Sequence, residues 1–345
     1  MMSSFSLPVF RVLLSFGICI LFVSPSIARE QIRIVGSSTV YPFIASAAEQ
    51  FGQGDFKTPI VESTGTGGGF KLFCDGLGED KPDISNASRP IKDSEIEKCK
   101  QNGVLDVMEV SIGYDGIVLA NKRQGKPYNL SKKQIFMALA RELPDADGNM
   151  RVNPYVTWKE IAPHLPDRPI EVYGPPPTSG TRDAFVELVM EEGCEHFPAF
   201  AKHYPNKKER HKLCHLIRED GRYIDSGEDD NIIVQKLVSN ENAFGILGYG
   251  FYEENSAKIQ SNMIDGVLPS YESIESNAYG VSRSLFIYVK TQNIGKIPGI
   301  VEFLKEVVSE HAAGPEGYMT AKGLLPLNKT LRSSTRKKVR ALSTP

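Results

Sequence analysis

The chain has 345 residues, 41% of them hydrophobic and 24% charged, with a formal net charge of −2. A balance so close to neutral excludes recognition of nucleic acid through overall charge, so any anion site must be built locally from helix ends and one or two arginines. The length exceeds the usual single hydrophobic core, and two domains or lobes are expected.

Arg11 is the only charge ahead of an apolar run from Val12 to Val23, and Ser26-Ile27-Ala28 supplies the small-x-small pattern of a signal peptidase site. Residues 1–28 therefore read as a signal peptide removed before Arg29, and the rest as a secreted soluble protein. The apolar run is short for a membrane span. Ile18 ahead of Cys19 argues against lipid attachment. Losing Arg11 moves the net charge from −2 to about −3. Four cysteines remain, Cys74, Cys99, Cys194 and Cys214. They allow three pairings. The sequence-local one, Cys74 with Cys99 and Cys194 with Cys214, would contribute about 3 kcal/mol per bridge. Export favours disulfides. Cys194-Glu195-His196 and His211 near Cys214-His215 keep a metal site open as the alternative.

In chain order, Ile32–Val35 predicts a strand, Gly36-Ser37-Ser38-Thr39 a turn, and Val40 to Phe51 a helix by its apolar spacing. Ile60-Val61 leads into Glu62-Ser63-Thr64-Gly65-Thr66-Gly67-Gly68-Gly69 and a helix from Phe70. Ser85-Asn86-Ala87-Ser88-Arg89-Pro90 is a further polar loop, and Arg89 brings a forked cation. Val107 to Ala120 predicts one or two strands, Ser131 to Leu143 an amphipathic helix ended by Pro144, and Thr157 the cap of another. Ile170–Tyr173 is a strand, three prolines hold the chain extended, and Thr178-Ser179-Gly180-Thr181 starts a helix. Gly193 to Arg222 reads as an irregular, charged surface excursion. Asp229–Val238 predicts a helix, Ala243–Tyr249 and Ser284–Val289 strands, and Ile297–His311 one long helix. The tail from Lys329 is basic and helical or frayed.

Three strand-to-helix turns rich in Gly, Ser and Thr suit a small oxyanion. A helix start offers unpaired N–H groups and about half a positive charge, and hydroxyls add neutral donors. Enzymatic signatures are missing. Lys71 lies between Phe70 and Leu72, which breaks a P-loop, and Ser179 has no Gly-x-Ser-x-Gly around it. Alternating strands and helices predict an α/β fold with mainly parallel sheets and the ligand at their carboxyl ends.

Gly36-Ser37-Ser38-Thr39-Val40-Tyr41-Pro42, Gly65-Thr66-Gly67-Gly68-Gly69-Phe70-Lys71, Asp83-Ile84-Ser85-Asn86-Ala87-Ser88-Arg89 and Ser179-Gly180-Thr181-Arg182 together resemble the phosphate-binding proteins of ABC transporters, the PstS family. Tyr114-Asp115-Gly116 and Ser282–Tyr288 match at the expected lobe crossings. The resemblance implies a two-lobed periplasmic-binding-protein (type II) fold with the ligand in the cleft between lobes: 29–113 and 283–345 in lobe 1, 114–282 in lobe 2. It implies binding of inorganic phosphate as a monomer, delivery to integral-membrane permease subunits, no catalysis and no cofactor. Sulfate or molybdate binding, or a secreted scaffold role, are the alternatives. Carried over, the site comprises Ser38, Thr39, Val40, Thr66, Gly67, Ser88, Arg89, Ser179, Gly180 and Thr181. Family members place an aspartate where Arg89 stands and an arginine where Pro175 stands, so Arg89 is expected to supply the cation. Glu62, Asp83 or a backbone carbonyl would accept the phosphate proton.

Overall fold

The computed structural model describes residues 29–227 and 229–343. The expected signal peptide lies outside the described residues. The main sheet is built from β1 (Arg33–Gly36), β2 (Ile60–Ser63), β3 (Ile84–Ala87), β4 (Val107–Lys122), β5 (Val172–Gly174), β6 (Tyr223–Asp225), β7 (Phe244–Gly248), β8 (Ile259–Ser261) and β9 (Ser282–Lys290). Their spatial order is β2-β1-β3-β9-β4-β7-β5-β6, with β8 also on β4. β1 runs parallel to β2 and β3. At the other end β5 runs parallel to β6 and β7.

β4 joins these two parallel blocks. Its first part pairs antiparallel with β9, down to Gly116 against Ser282. From Ile117 onward it pairs instead with β7. The change of partner divides the apolar core. Ile34, Val110, Leu285 and Phe303 pack in one cluster, whereas Val118, Trp158, Phe185 and Phe244 pack in another. A third cluster surrounds Cys74 and Cys99. This is the two-lobed α/β architecture of periplasmic binding proteins. The 16-residue strand that carries the crossing also shows why the stretch read as one or two strands: β-branched and aromatic residues continue through Gly113 and Gly116 without a turn signal.

The helices that matter for the site are α1 (Tyr41–Phe51), α2 (Thr66–Phe73), α3 (Lys132–Leu139), α4 (Gly180–Phe185), α5 (Ile300–Val307) and α6 (Lys329–Ala341). Several bounds differ from the sequence expectation, each for a local reason. α3 stops before Ala140, because Asn153 Nδ2 donates to the Met137 and Ala140 carbonyls and Arg218 Nη1 to that of Ala138. Glu142–Pro144 then forms a short strand instead of continuing the helix. The expected long helix from Ile297 is interrupted. α5 begins after Gly299 in a left-handed conformation, and Ser309 caps a separate turn at Glu310–Ala313. Gly193 to Arg222 is not irregular. It contains Pro198–His203, with proline in its first turn, and Lys207–Cys214, capped by Asn206. The charged sequence Lys207-Lys208-Glu209-Arg210-His211-Lys212 carries no apolar stripe, so only its cap signals a helix.

Two disulfides, Cys74–Cys99 and Cys194–Cys214, join the sequence-local pairs. The alternative metal site loses its thiolates in this way. His211 and His215 instead both bond Glu191, at 2.8 and 2.6 Å. Among the described residues no helix is long and apolar enough to cross a membrane.

Candidate functional site

The polar turns stand where parallel strands end. β1 delivers Gly36, whose φ of +135° and 2.1 Å clearance between an ideal Cβ and the Asn86 carbonyl oxygen leave no other residue possible. Thr64 N–H bonds the Gly36 carbonyl at 2.8 Å, which ties the second turn to the first. Ser88 follows directly on β3. Its hydroxyl lies 3.0 Å from Thr66 Oγ1, and its N–H donates to the same oxygen at 3.2 Å. The first three loops thus form one polar surface on lobe 1. Ser37, Thr39 and Ser88 are buried there although they are polar.

Ser131, Thr157, Asn206, Asp229, Ser270, Ser309 and Asn328 each cap a helix with a side-chain oxygen. α1 and α2, with Val40 and Gly65 at their cap positions, have no side-chain cap, a feature shared with α5 and with the helices at Pro198–His203 and Tyr249–Glu254. At α2 the N–H groups of Thr66, Gly67 and Gly68 have no capping side chain, an arrangement suited to an anion, whereas at α1 the Tyr41 N–H bonds the Ser37 carbonyl at 3.0 Å and Pro42 has no N–H.

Lobe 2 brings its turn against this surface. Pro175 to Thr178 follow β5. The Pro175 carbonyl is gripped by Tyr223 Oη at 2.6 Å and Arg182 Nη1 at 3.2 Å. Arg182 also stacks on Tyr223, 4.5 Å from the ring centre. Burial pushes the Tyr223 hydroxyl up to about 12, so it remains a neutral donor at physiological pH. Ser179 is buried and caps α4 by accepting from Thr181 N–H. Gly180 then meets lobe 1 directly. A Cβ there would lie 3.1 Å from Thr39 Cα and 3.2 Å from the Ser38 carbonyl oxygen.

The structure therefore brings Ser38, Thr39 and Val40 together with Ser179, Gly180 and Thr181 across the seam. Thr66, Gly67, Ser88 and Arg89 gather on the lobe 1 side. Arg89 passes near Gly67, but its guanidinium is bound bidentately to Glu95 at 2.7 and 2.9 Å. Burial acts to raise the Glu95 carboxyl, yet Arg89 and the Lys92 N–H together outweigh it and hold the pKa below the ordinary value. The guanidinium that reaches the first-turn hydroxyl belongs to Arg283. Its Nη2 donates to Thr39 Oγ1 at 2.5 Å, its Nη1 to Glu187 at 2.5 Å, and its Nε lies 3.4 Å from Asp115. Arg283 and Asp115 stand opposite each other in the β9–β4 register, at the crossing. Burial raises the Asp115 pKa even with Arg283 opposing it.

Arg283 and Asp115 had no assigned role in the sequence reading. A charge inside an otherwise apolar strand, with an opposite charge inside the strand that pairs with it, is the signal that identifies them. Asp183 was equally unassigned, yet Ser38 Oγ donates to its Oδ2 at 2.5 Å across the seam. The expected proton acceptors lie elsewhere. Asp83 sits ahead of β3 and is held by Arg29, Arg33 N–H and Asn293. Glu62 is exposed on the edge strand. A cavity of about 250 Å³ beside Thr181 is lined by Asp115, Asp229, Asp230 and Glu254 with one cation, Lys322, a mainly acidic surface.

The family model for the PBP superfamily domain matches residues 24–311. Protein SphX of Synechocystis sp. is 32% identical over 328 residues, covering 93% of this chain and 84% of the relative. The phosphate-binding protein PstS of Staphylococcus saprophyticus is 30% identical over 288 residues, covering 81% and 76% respectively. The crystal structure of a possible phosphate binding protein from Planctomyces limnophilus superposes with a TM-score of 0.72 at 27% identity, covering 91% of this chain and 99% of that one. On a match across most of its length and on relatives at this identity, the chain belongs to the PBP superfamily, in the family of PstS and SphX.

Proposed function

We propose that this protein binds one inorganic phosphate in the cleft between its lobes and delivers it to the integral-membrane permease of an ABC-type importer. One observation carries this reading most: the Ser38-Thr39 turn of lobe 1 meets the Ser179-Gly180-Thr181 helix start of lobe 2 across one seam, with the α2 start, which lacks a side-chain cap, on the lobe 1 side. Ser38, Thr39, Thr66, Ser88, Ser179 and Thr181 supply hydroxyls, and Val40, Gly67 and Gly180 supply backbone N–H groups. Arg89 lines the lobe 1 side. Lobe 1 comprises residues 29–113 and 283–345, and lobe 2 residues 114–282. The protein acts in the periplasm as a monomer that presents both lobes to the permease. Its chemistry is capture and release. The names of the PstS relatives and the Planctomyces structure support the choice of phosphate.

Titration calorimetry of the mature protein, stripped of bound anion, tests this reading. One phosphate per chain with sub-micromolar affinity is expected. Tighter binding of sulfate or molybdate would reassign the ligand, and heat from none of the three would reject the receptor role.

A further inference from the structure

Two adjacent hydroxyls of the first turn are held with opposite polarity. A hydroxyl has one proton to donate and two lone pairs. Thr39 Oγ1 accepts from Arg283 at 2.5 Å, and its own proton faces only the Gly180 carbonyl at 3.5 Å. Thr39 is therefore available to a ligand as a donor. Ser38 is the reverse. Its single proton is committed to Asp183 Oδ2 at 2.5 Å, so its oxygen faces a ligand as an acceptor.

We propose that Asp183, acting through Ser38, is the positioning carboxylate that makes this site select a protonated oxyanion. Ser38 Oγ, with its proton held by Asp183, accepts the P–O–H proton of hydrogen phosphate. A fully deprotonated anion such as sulfate meets the same lone pairs with no proton to share, and the Asp183 charge behind them adds repulsion. The inference rests on the phosphate reading. It also accounts for a site in which Arg89 stands where family members have an aspartate, while Glu62 and Asp83 lie away from the seam. Asp183 is in the first turn of α4, where a carboxylate also favours the helix dipole. That role alone would affect stability and leave anion choice unchanged.

Competition calorimetry with phosphate and sulfate on the wild-type, Asp183→Asn and Ser38→Ala proteins separates these possibilities. If the wild type takes no phosphate, the functional reading itself fails. If it does, the wild type is expected to prefer phosphate strongly. Asp183→Asn should then lower the phosphate-to-sulfate ratio by about tenfold to a hundredfold, because an amide can donate to Ser38 and turn it into a donor. Ser38→Ala should lower the ratio similarly and leaves α4 intact should the Asp183 variant fold poorly. The inference is overturned by an unchanged ratio in either variant, by equal loss of both anions, or by a wild type that does not discriminate.

Discussion

Arg283→Gln is expected to lose both stability and anion affinity. Arg283 is buried and Asp115 largely so, with side chains 8% and 13% exposed. Removing one member of such a pair leaves a buried charge uncompensated, at a cost of about 3–5 kcal/mol in urea unfolding. The Asp115 carboxyl, already raised by burial, would then lose the guanidinium that opposes the shift. Binding suffers separately. Thr39 loses the donor that fixes its hydroxyl and the seam loses its central cation, a loss of roughly 1.5–3 kcal/mol in phosphate affinity. The double variant Arg283→Gln with Asp115→Asn distinguishes the two effects. Neutralising both partners should recover most of the stability and none of the affinity. Recovery of both would mean that Arg283 contributes only to the fold.

Gly180→Val is expected to have the opposite profile, losing affinity while keeping stability. The Cβ would press on Thr39 Cα and the Ser38 carbonyl, which belong to the opposite lobe. Overpacking of about 1–3 kcal/mol would fall on the closed arrangement alone, weakening phosphate binding roughly 5–150-fold. The backbone itself tolerates the change. Gly180 is the first residue of α4 and lacks the positive φ seen at Gly36 and Gly65. Unfolding by urea should therefore move little. Wild-type affinity in this variant would show that the two turns need not approach this closely to hold the anion.

The fold was legible wherever local chemistry and burial agreed. Alternating strands and helices, the turn at Gly36 and the Ser179 cap all follow from short-range patterns that the lobes then use. Helix ends were harder to place. α3 is cut short by Asn153 and Arg218, two side chains from later in the chain whose reach periodicity cannot show. The helices of residues 198–214 were missed because charge masks their period and a disulfide, with packing on Phe200, supplies the stability that an apolar stripe normally gives. The candidate site was legible as a set of turns and illegible as a network. Ser38, Thr39, Ser179 and Gly180 advertise themselves by composition. Asp183 and Arg283 matter because folding carries them to hydroxyls 145 and 244 residues away in sequence. Arg89 shows the converse. It has the right charge in the right loop, yet Glu95, six residues on, occupies its guanidinium.

A crystal structure of the mature protein grown with phosphate tests the central claim most directly. One tetrahedral anion is predicted between the lobes, within hydrogen-bond distance of the first turns of α1 and α4 and of the Thr66–Ser88 pair. Ser38 Oγ should then sit between the anion and Asp183. An anion found instead only in the basic groove lined by Lys305, Arg336, Lys337 and Arg340, with the seam unchanged, would contradict the account.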